Sequence, residues 1–200
     1  FVNWLNTSSG FEPAYKVNAR QTLDYQVKAK DAFKYNDAFV PWDSTEAGFD
    51  PSHPLRNGKA KYFLPTVDEW YKAAYYDAQA DSGKGGYWRY PTGSNSPPRA
   101  VRFGTALNTA VYGQKPEIGP ADINNAGGTN PNGVVAMGGN VFELAELKDR
   151  VQFWGDHWWF GGRDAMTRND RGSISRASAS TYVGFRVAGR VAQSDLSTAD

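Results

Sequence analysis

The chain has 200 residues, and Lys+Arg 22 against Asp+Glu 21 leaves a formal net charge of +1. That balance argues against a dedicated nucleic-acid or polyanion binder, and no apolar run reaches membrane-spanning length. With 0 cysteines, disulfides, cysteine-ligated zinc, iron–sulfur clusters and thiol nucleophiles are excluded, and the redox compartment is unreadable. A chain of this length buries roughly 70% of its unfolded surface, enough for a core without staples. The 7 Trp, 11 Tyr and 11 Phe, beside 21 Gly and 11 Pro, point to a loop-rich fold pinned by aromatic side chains.

The opening Phe1-Val2-Asn3-Trp4-Leu5-Asn6 reads as the end of an amphipathic helix. The first residue is not Met, and both features lead to the expectation of an N-terminally trimmed chain. Asn6-Thr7-Ser8 fits an N-glycosylation sequon, a pattern frequent by chance. A short strand is expected at Lys61-Tyr62-Phe63-Leu64. The clearest periodic segment is 66–79, entered through Pro65 and Thr66 with Glu69 three residues on. That spacing predicts a capping box, with Asp68 and Glu69 at the positive end of the helix dipole. Trp70, Ala73, Ala74 and Ala78 form the expected inward stripe.

From 80 to 135 the chain is mostly punctuation: Gly85-Gly86, Pro91-Thr92-Gly93, Pro97-Pro98, Gly127-Gly128 and Asn132-Gly133 mark turns. Only Tyr87-Trp88-Arg89-Tyr90 and the stretch around Val101 and Phe103 read as short strands. An irregular run of that length in a compact domain is usually functional or metal-braced. The last expected strand is Val183-Gly184-Phe185-Arg186-Val187-Ala188. One domain over 1–190 and a polar tail over 191–200 are expected. No internal repeat, nucleotide-binding glycine motif or paired-carboxylate site stands out.

Five spaced segments match one family in sequence order. Phe1–Asn6 resembles its "F-x-N-W-L" helix, and Phe63-Leu64-Pro65-Thr66-Val67-Asp68-Glu69-Trp70 its "R-L-P-T-E-A-E-W" helix entry. Tyr90-Pro91-Thr92-Gly93 is similar to a "Y-P-W-G" turn. Ala136-Met137-Gly138-Gly139-Asn140-Val141-Phe142-Glu143-Leu144 resembles "D-M-x-G-N-V-W-E-W". Val183–Ala188 resembles the closing "x-G-F-R-V-A". These are motifs of the formylglycine-generating enzyme (sulfatase-modifying factor) family. The resemblance implies an α+β, C-type-lectin-like fold, loop-rich, with a mostly antiparallel sheet and about two helices, here N-terminally truncated.

The family's oxidases bind copper through two cysteines on a loop after a "G-G-S-W/Y" element, which Gly155-Asp156-His157-Trp158 resembles. Ungapped matching puts Phe160 and Ala165 at the cysteine positions, and a thiolate cannot be replaced by either. The resemblance therefore implies a domain whose formylglycine oxidase activity is lost. It also implies calcium as a cofactor, held in part by Gly139, Val141 and Glu143. The first ligand of that site is here Ala136, and the Asn of a second site is here Val111, so both sites are degraded. Without an ion, Glu143 is expected to hydrogen-bond loop amides. Asp122, Asn124 and Asn125 are further oxygen donors in that region.

The stretch 153–182 gathers Trp, Tyr and Arg, the residues that dominate binding hot spots, among adaptable Gly and Ser. Arg171 and Trp158 resemble core residues of the family, and Trp4, Trp70 and Trp158 read as fold markers. Trp159, Phe160, Arg163, Arg168 and Arg176 remain as ligand-binding candidates, with core packing the competing role for each aromatic. His157, beside Asp156, is a further candidate; one His and one Asp are a weak metal or acid–base signal, and a packed histidine is the commoner outcome.

The favoured function is a non-catalytic domain binding a protein or small-molecule ligand, with no nucleic acid and no membrane span. Three other outcomes stay open. One is a divergent enzyme of the family, carrying out metal-dependent oxidation or protein modification. Another is a scaffold fragment. The last is a variable lectin-like protein of a diversity-generating retroelement, in which varied surface residues precede the closing "G-F-R-V-A". A bacterial, extracytoplasmic or cell-surface location is expected.

Overall fold

The structure, a computed structural model, describes residues 1–17, 39–148, 150–159, 162–169 and 181–191. Two compact units divide the chain: Phe1–Pro65 with Glu146–Val151 and Arg186–Asp200, and Thr66–Ala145 with Gln152–Phe185. The secondary structure is α+β, with short elements set in long loops, as expected from the sequence. No helix among the described residues is long and apolar enough to cross a membrane.

The first unit opens with helix α1, Val2–Ser8. Strand β1, Lys16–Val17, pairs antiparallel with β2, Phe39–Val40. Strand β3, Tyr62–Phe63, falls within the expected 61–64 segment and pairs antiparallel with Ala188–Gly189 near the end of the chain. Asn6 ties α1 to β3. It is fully buried, accepts from the amides of Lys61 and Tyr62, and donates to the Tyr62 carbonyl at 2.7 Å. A side chain used in this way is closed to glycosylation in the folded chain. Trp4, in contrast, is 62% exposed and meets Phe1 at 5.7 Å between ring centroids, so as a fold marker it sits outside the core.

A buried polar knot holds this unit together. The Glu146 carboxylate receives the Tyr15 hydroxyl and, at 3.3 Å, the Arg56 guanidinium. The Tyr15 oxygen in turn accepts the Leu64 amide at 2.6 Å. Arg56 lies 3.7 Å above the Phe63 ring and donates to the Leu64 carbonyl. Burial pushes the Glu146 carboxyl up, against the pull of Arg56 and Tyr15, and drives the Tyr15 phenol far above its ordinary value. Gly48 is required nearby: its φ is +91° and a Cβ there would lie 1.9 Å from Asn57 Oδ1.

The second unit opens with α2, Val67–Tyr75. The predicted capping box is present: Thr66 Oγ1 accepts the Glu69 amide at 3.1 Å, and Glu69 accepts the Thr66 amide at 2.7 Å. The helix ends at Tyr75, short of the expected 79, because Tyr76–Asp77 (β4) pairs with Gly86–Tyr87 (β5). Distant asparagines take the freed carbonyls. Asn130 Nδ2 donates to Ala73, and Asn132 Nδ2 to Tyr76, each at 2.7 Å. Arg99–Ala100 (β6) and Thr109–Ala110 (β7) pair in parallel, so the strand lies just before the expected Val101 and Phe103.

The largest described sheet runs β10-β8-β9, built from Phe142–Leu147 (β8), Arg150–Trp154 (β9) and Val183–Phe185 (β10). β10 lies parallel to β8, with Gly184 opposite Glu143. The expected strand 183–188 is thus split, 183–185 as β10 and Ala188–Gly189 as β11. The unit's core is Trp70, Ala74, Tyr75, Met137, Ala145 and Trp154. A second cluster joins Val111, Ala126, Ala136 and Trp158. Trp70 and Trp158 are therefore core markers; of the stripe, Trp70 and Ala74 are buried, Ala73 is half-buried and Ala78 exposed.

Candidate functional site

The expected binding segment begins where β9 ends. At Gly155, with φ +80°, the chain turns where a Cβ would meet the Met137 carbonyl at 3.2 Å and the Trp70 ring at 3.4 Å. Asp156 Oδ1 then accepts the His157 amide at 2.7 Å. Trp158 is fixed from both sides. Its amide donates to the Asn140 carbonyl at 2.9 Å, and its carbonyl accepts the Gln114 amide at 2.8 Å.

Asn140 anchors that loop further. It adopts a left-handed φ of +63°, a conformation open to Asn because its short side chain bonds locally. Its side-chain amide copies a strand partner. Oδ1 accepts the Ala121 amide at 2.8 Å and Nδ2 donates to the Ala121 carbonyl at 3.2 Å.

His157 is 8% exposed and wedged between rings. Phe142 meets it edge-on at 4.7 Å, and Tyr182 stacks on it at 5.1 Å and 30°. Its Nδ1 accepts the Trp159 amide at 3.3 Å, which requires a neutral ring protonated on Nε2. Burial holds its pKa below the ordinary histidine value and so keeps it neutral. The ring therefore props up what lies above it, and Asp156 caps backbone.

What lies above is Trp159. It is 39% exposed, stacked on buried Trp158 at 6.3 Å and 30°, and 6.3 Å from Tyr182, itself 36% exposed. A half-exposed indole and phenol are thus carried on a packed base of His157, Phe142 and Trp158. Such a platform offers apolar area with few rotamers left to freeze on binding. Tyr182 was part of the aromatic–arginine run in the sequence, but nothing there marked it as Trp159's neighbour.

The remaining candidates separate. Arg168 is held elsewhere: its amide bonds the Arg89 carbonyl at 2.9 Å and its guanidinium the Tyr87 carbonyl. Arg163 opens the 3-10 turn Arg163–Met166, with only its backbone described. Phe160 and Arg176 lie outside the described residues.

At the degraded calcium site, Glu143 is buried and accepts the Trp70 indole N–H at 2.7 Å. Gly139 has φ +79°, and a Cβ there would lie 2.4 Å from the Val111 carbonyl. Ala136 contributes no side-chain oxygen. Among the described residues no three His, Asp or Glu side chains gather to hold a metal. Of the expected ligands, Glu143 offers a carboxylate and Gly139 and Val141 offer backbone carbonyls only, where a hard cation takes about six to eight oxygens.

No family model matches the chain, and no curated protein matches it, so neither comparison supports the formylglycine-generating-enzyme resemblance. Among solved structures, the chain is similar to Treponema denticola variable protein 1, with a TM-score of 0.54 and 19% sequence identity. The match covers 95% of this chain and 66% of that one, just under two thirds of its length. At that identity the likeness is one of fold.

Proposed function

We propose that this chain is a non-catalytic, lectin-like binding domain of the variable-protein kind. Its ligand-facing surface centres on Trp159 and Tyr182. The observation that carries the proposal is the aromatic pair, half-exposed yet fixed from below by buried His157 and Trp158 and half-buried Phe142. The fold likeness to a variable protein supports the choice of kind. So does the position of the pair, since Trp159 and Tyr182 both precede the closing Gly184-Phe185-Arg186-Val187-Ala188. In that setting Phe160, Arg163 and Arg176 belong to the sequence segment offered to ligand. The ligand is a protein or small molecule, met outside the cytoplasm or at a cell surface.

The motif order also favours descent from a formylglycine-generating-enzyme-like domain. With 0 cysteines, the copper oxidase chemistry of that family lacks its thiolates. A divergent metal-dependent enzyme would show stoichiometric iron or copper in the purified protein.

The test is selection of binders from a displayed peptide library, followed by W159A and Y182A on the purified chain. Each is expected to weaken a selected binder about tenfold or more, as hot-spot aromatics do. Undiminished binding by both variants would move the surface elsewhere.

A further inference from the structure

A second place in the molecule can take a ligand, and it does not depend on the Trp159 surface. In the second unit, Arg102, Phe103, Ile118, Asp122 and Asn125 line a pocket of about 300 Å³. That is the small end of the range for ligand sites. Its walls are fixed by backbone. The Gly104 amide donates to the Asn125 carbonyl at 2.8 Å, and the Gly127 amide to the Gly104 carbonyl at 2.9 Å. The Asn140 side chain holds Ala121, which also lines the pocket, at both its amide and its carbonyl.

The side chains at the rim are chemically diverse and exposed. Phe103 is 64% exposed. The Arg102 guanidinium lies 6.0 Å from the Phe103 ring centroid. It makes no hydrogen bond or ion pair with the described residues, and neither does the Asp122 carboxylate, which leaves the 3-10 turn Ile123–Asn125 without a side-chain cap. One pocket thus presents a cation, an anion and an aromatic face together. A guanidinium takes a carboxylate through two parallel hydrogen bonds, a carboxylate takes an ammonium, and Phe103 takes a ring edge-on or offset.

We propose that this pocket binds a free aromatic α-amino acid. Its carboxylate sits on Arg102, its ammonium on Asp122 and its ring against Phe103. A peptide terminus offers one of the two charges and a neutral aromatic offers neither, so the three-point match selects the zwitterion.

The test is titration of the ¹⁵N-labelled chain with L-phenylalanine, 3-phenylpropanoate and 2-phenylethylamine. The expected result is saturable shifts at the amides of 118, 119 and 121–125 with L-phenylalanine, and binding about tenfold weaker for each single-charge analogue, the scale of one charge-assisted hydrogen-bonded contact. R102Q should lower L-phenylalanine to the level of 2-phenylethylamine and leave 2-phenylethylamine unchanged. D122N should do the same relative to 3-phenylpropanoate. Absence of saturable shifts, equal binding of the three probes, or indifference of L-phenylalanine to both substitutions would overturn the proposal.

Discussion

His157 shows how one side chain links stability to the surface above it. Its ring is neutral because burial opposes its charge, and Nδ1 is occupied by the Trp159 amide. A folded pKa below the ordinary 6.5 means that the unfolded chain takes up the proton first. Its contribution is full above pH 6.5 and is lost as pH falls below that value toward the folded pKa. The His157 contribution, read by urea denaturation, should therefore fall between pH 7 and pH 5, while the Glu146 carboxyl, raised by burial, adds stability as pH falls and works against it. H157F should remove the His157 component and so change the slope over that interval, while lowering stability at pH 7, because the Trp159 amide loses its acceptor. An unchanged slope in H157F would remove His157 as the source. The sequence offered His157 beside Asp156 but gave no means of separating a prop from a ligand, since that depends on Phe142 and Tyr182 closing over the ring. Asn140 and Asn6 were equally opaque. A buried asparagine that copies a strand edge has the same letter as one in any turn.

At the scale of elements, legibility followed the range of the determining contacts. The start of α2 was readable because Thr66 and Glu69 are three residues apart and satisfy each other. T66A should cost about 1 kcal/mol, read as a fall in the urea midpoint at constant slope; no change would mean that the box contributes nothing. The end of α2 was unreadable. The residues that accept its termination, Asn130 and Asn132, lie more than fifty positions on, and β4 needs β5 to form. The turns of the 80–135 stretch were legible, but its strands were displaced: β5 takes in only Tyr87 of the expected 87–90, and β6 precedes Val101. These two-residue strands are fixed by pairing with β4 and β7, and periodicity carries no trace of them. The pocket at Arg102 and Asp122 was invisible for the same reason, although Asp122 and Asn125 had been singled out as oxygen donors.

At the scale of the whole molecule, composition had set the outline: aromatic-rich, glycine-rich and free of cysteine. The polar knot of the first unit was not in that outline. Tyr15, Arg56 and Glu146 come from three distant parts of the chain and are all buried. E146A leaves the Arg56 charge buried without its anion and should cost about 3–5 kcal/mol. E146Q keeps the shape but not the charge: a loss close to that of E146A would assign the effect to the missing anion, and a loss well below it would assign the effect to packing. The proposal under test is that this chain is a binding domain of the variable-protein kind, with a constant fold and an altered ligand surface. Deep sequencing of this gene from its source population tests that most directly. Substitutions are expected to concentrate in codons 153–182, with Trp158 and the closing Gly184–Ala188 constant. Substitutions spread evenly along the gene, or a segment 153–182 as invariant as the core around Trp70, would contradict it.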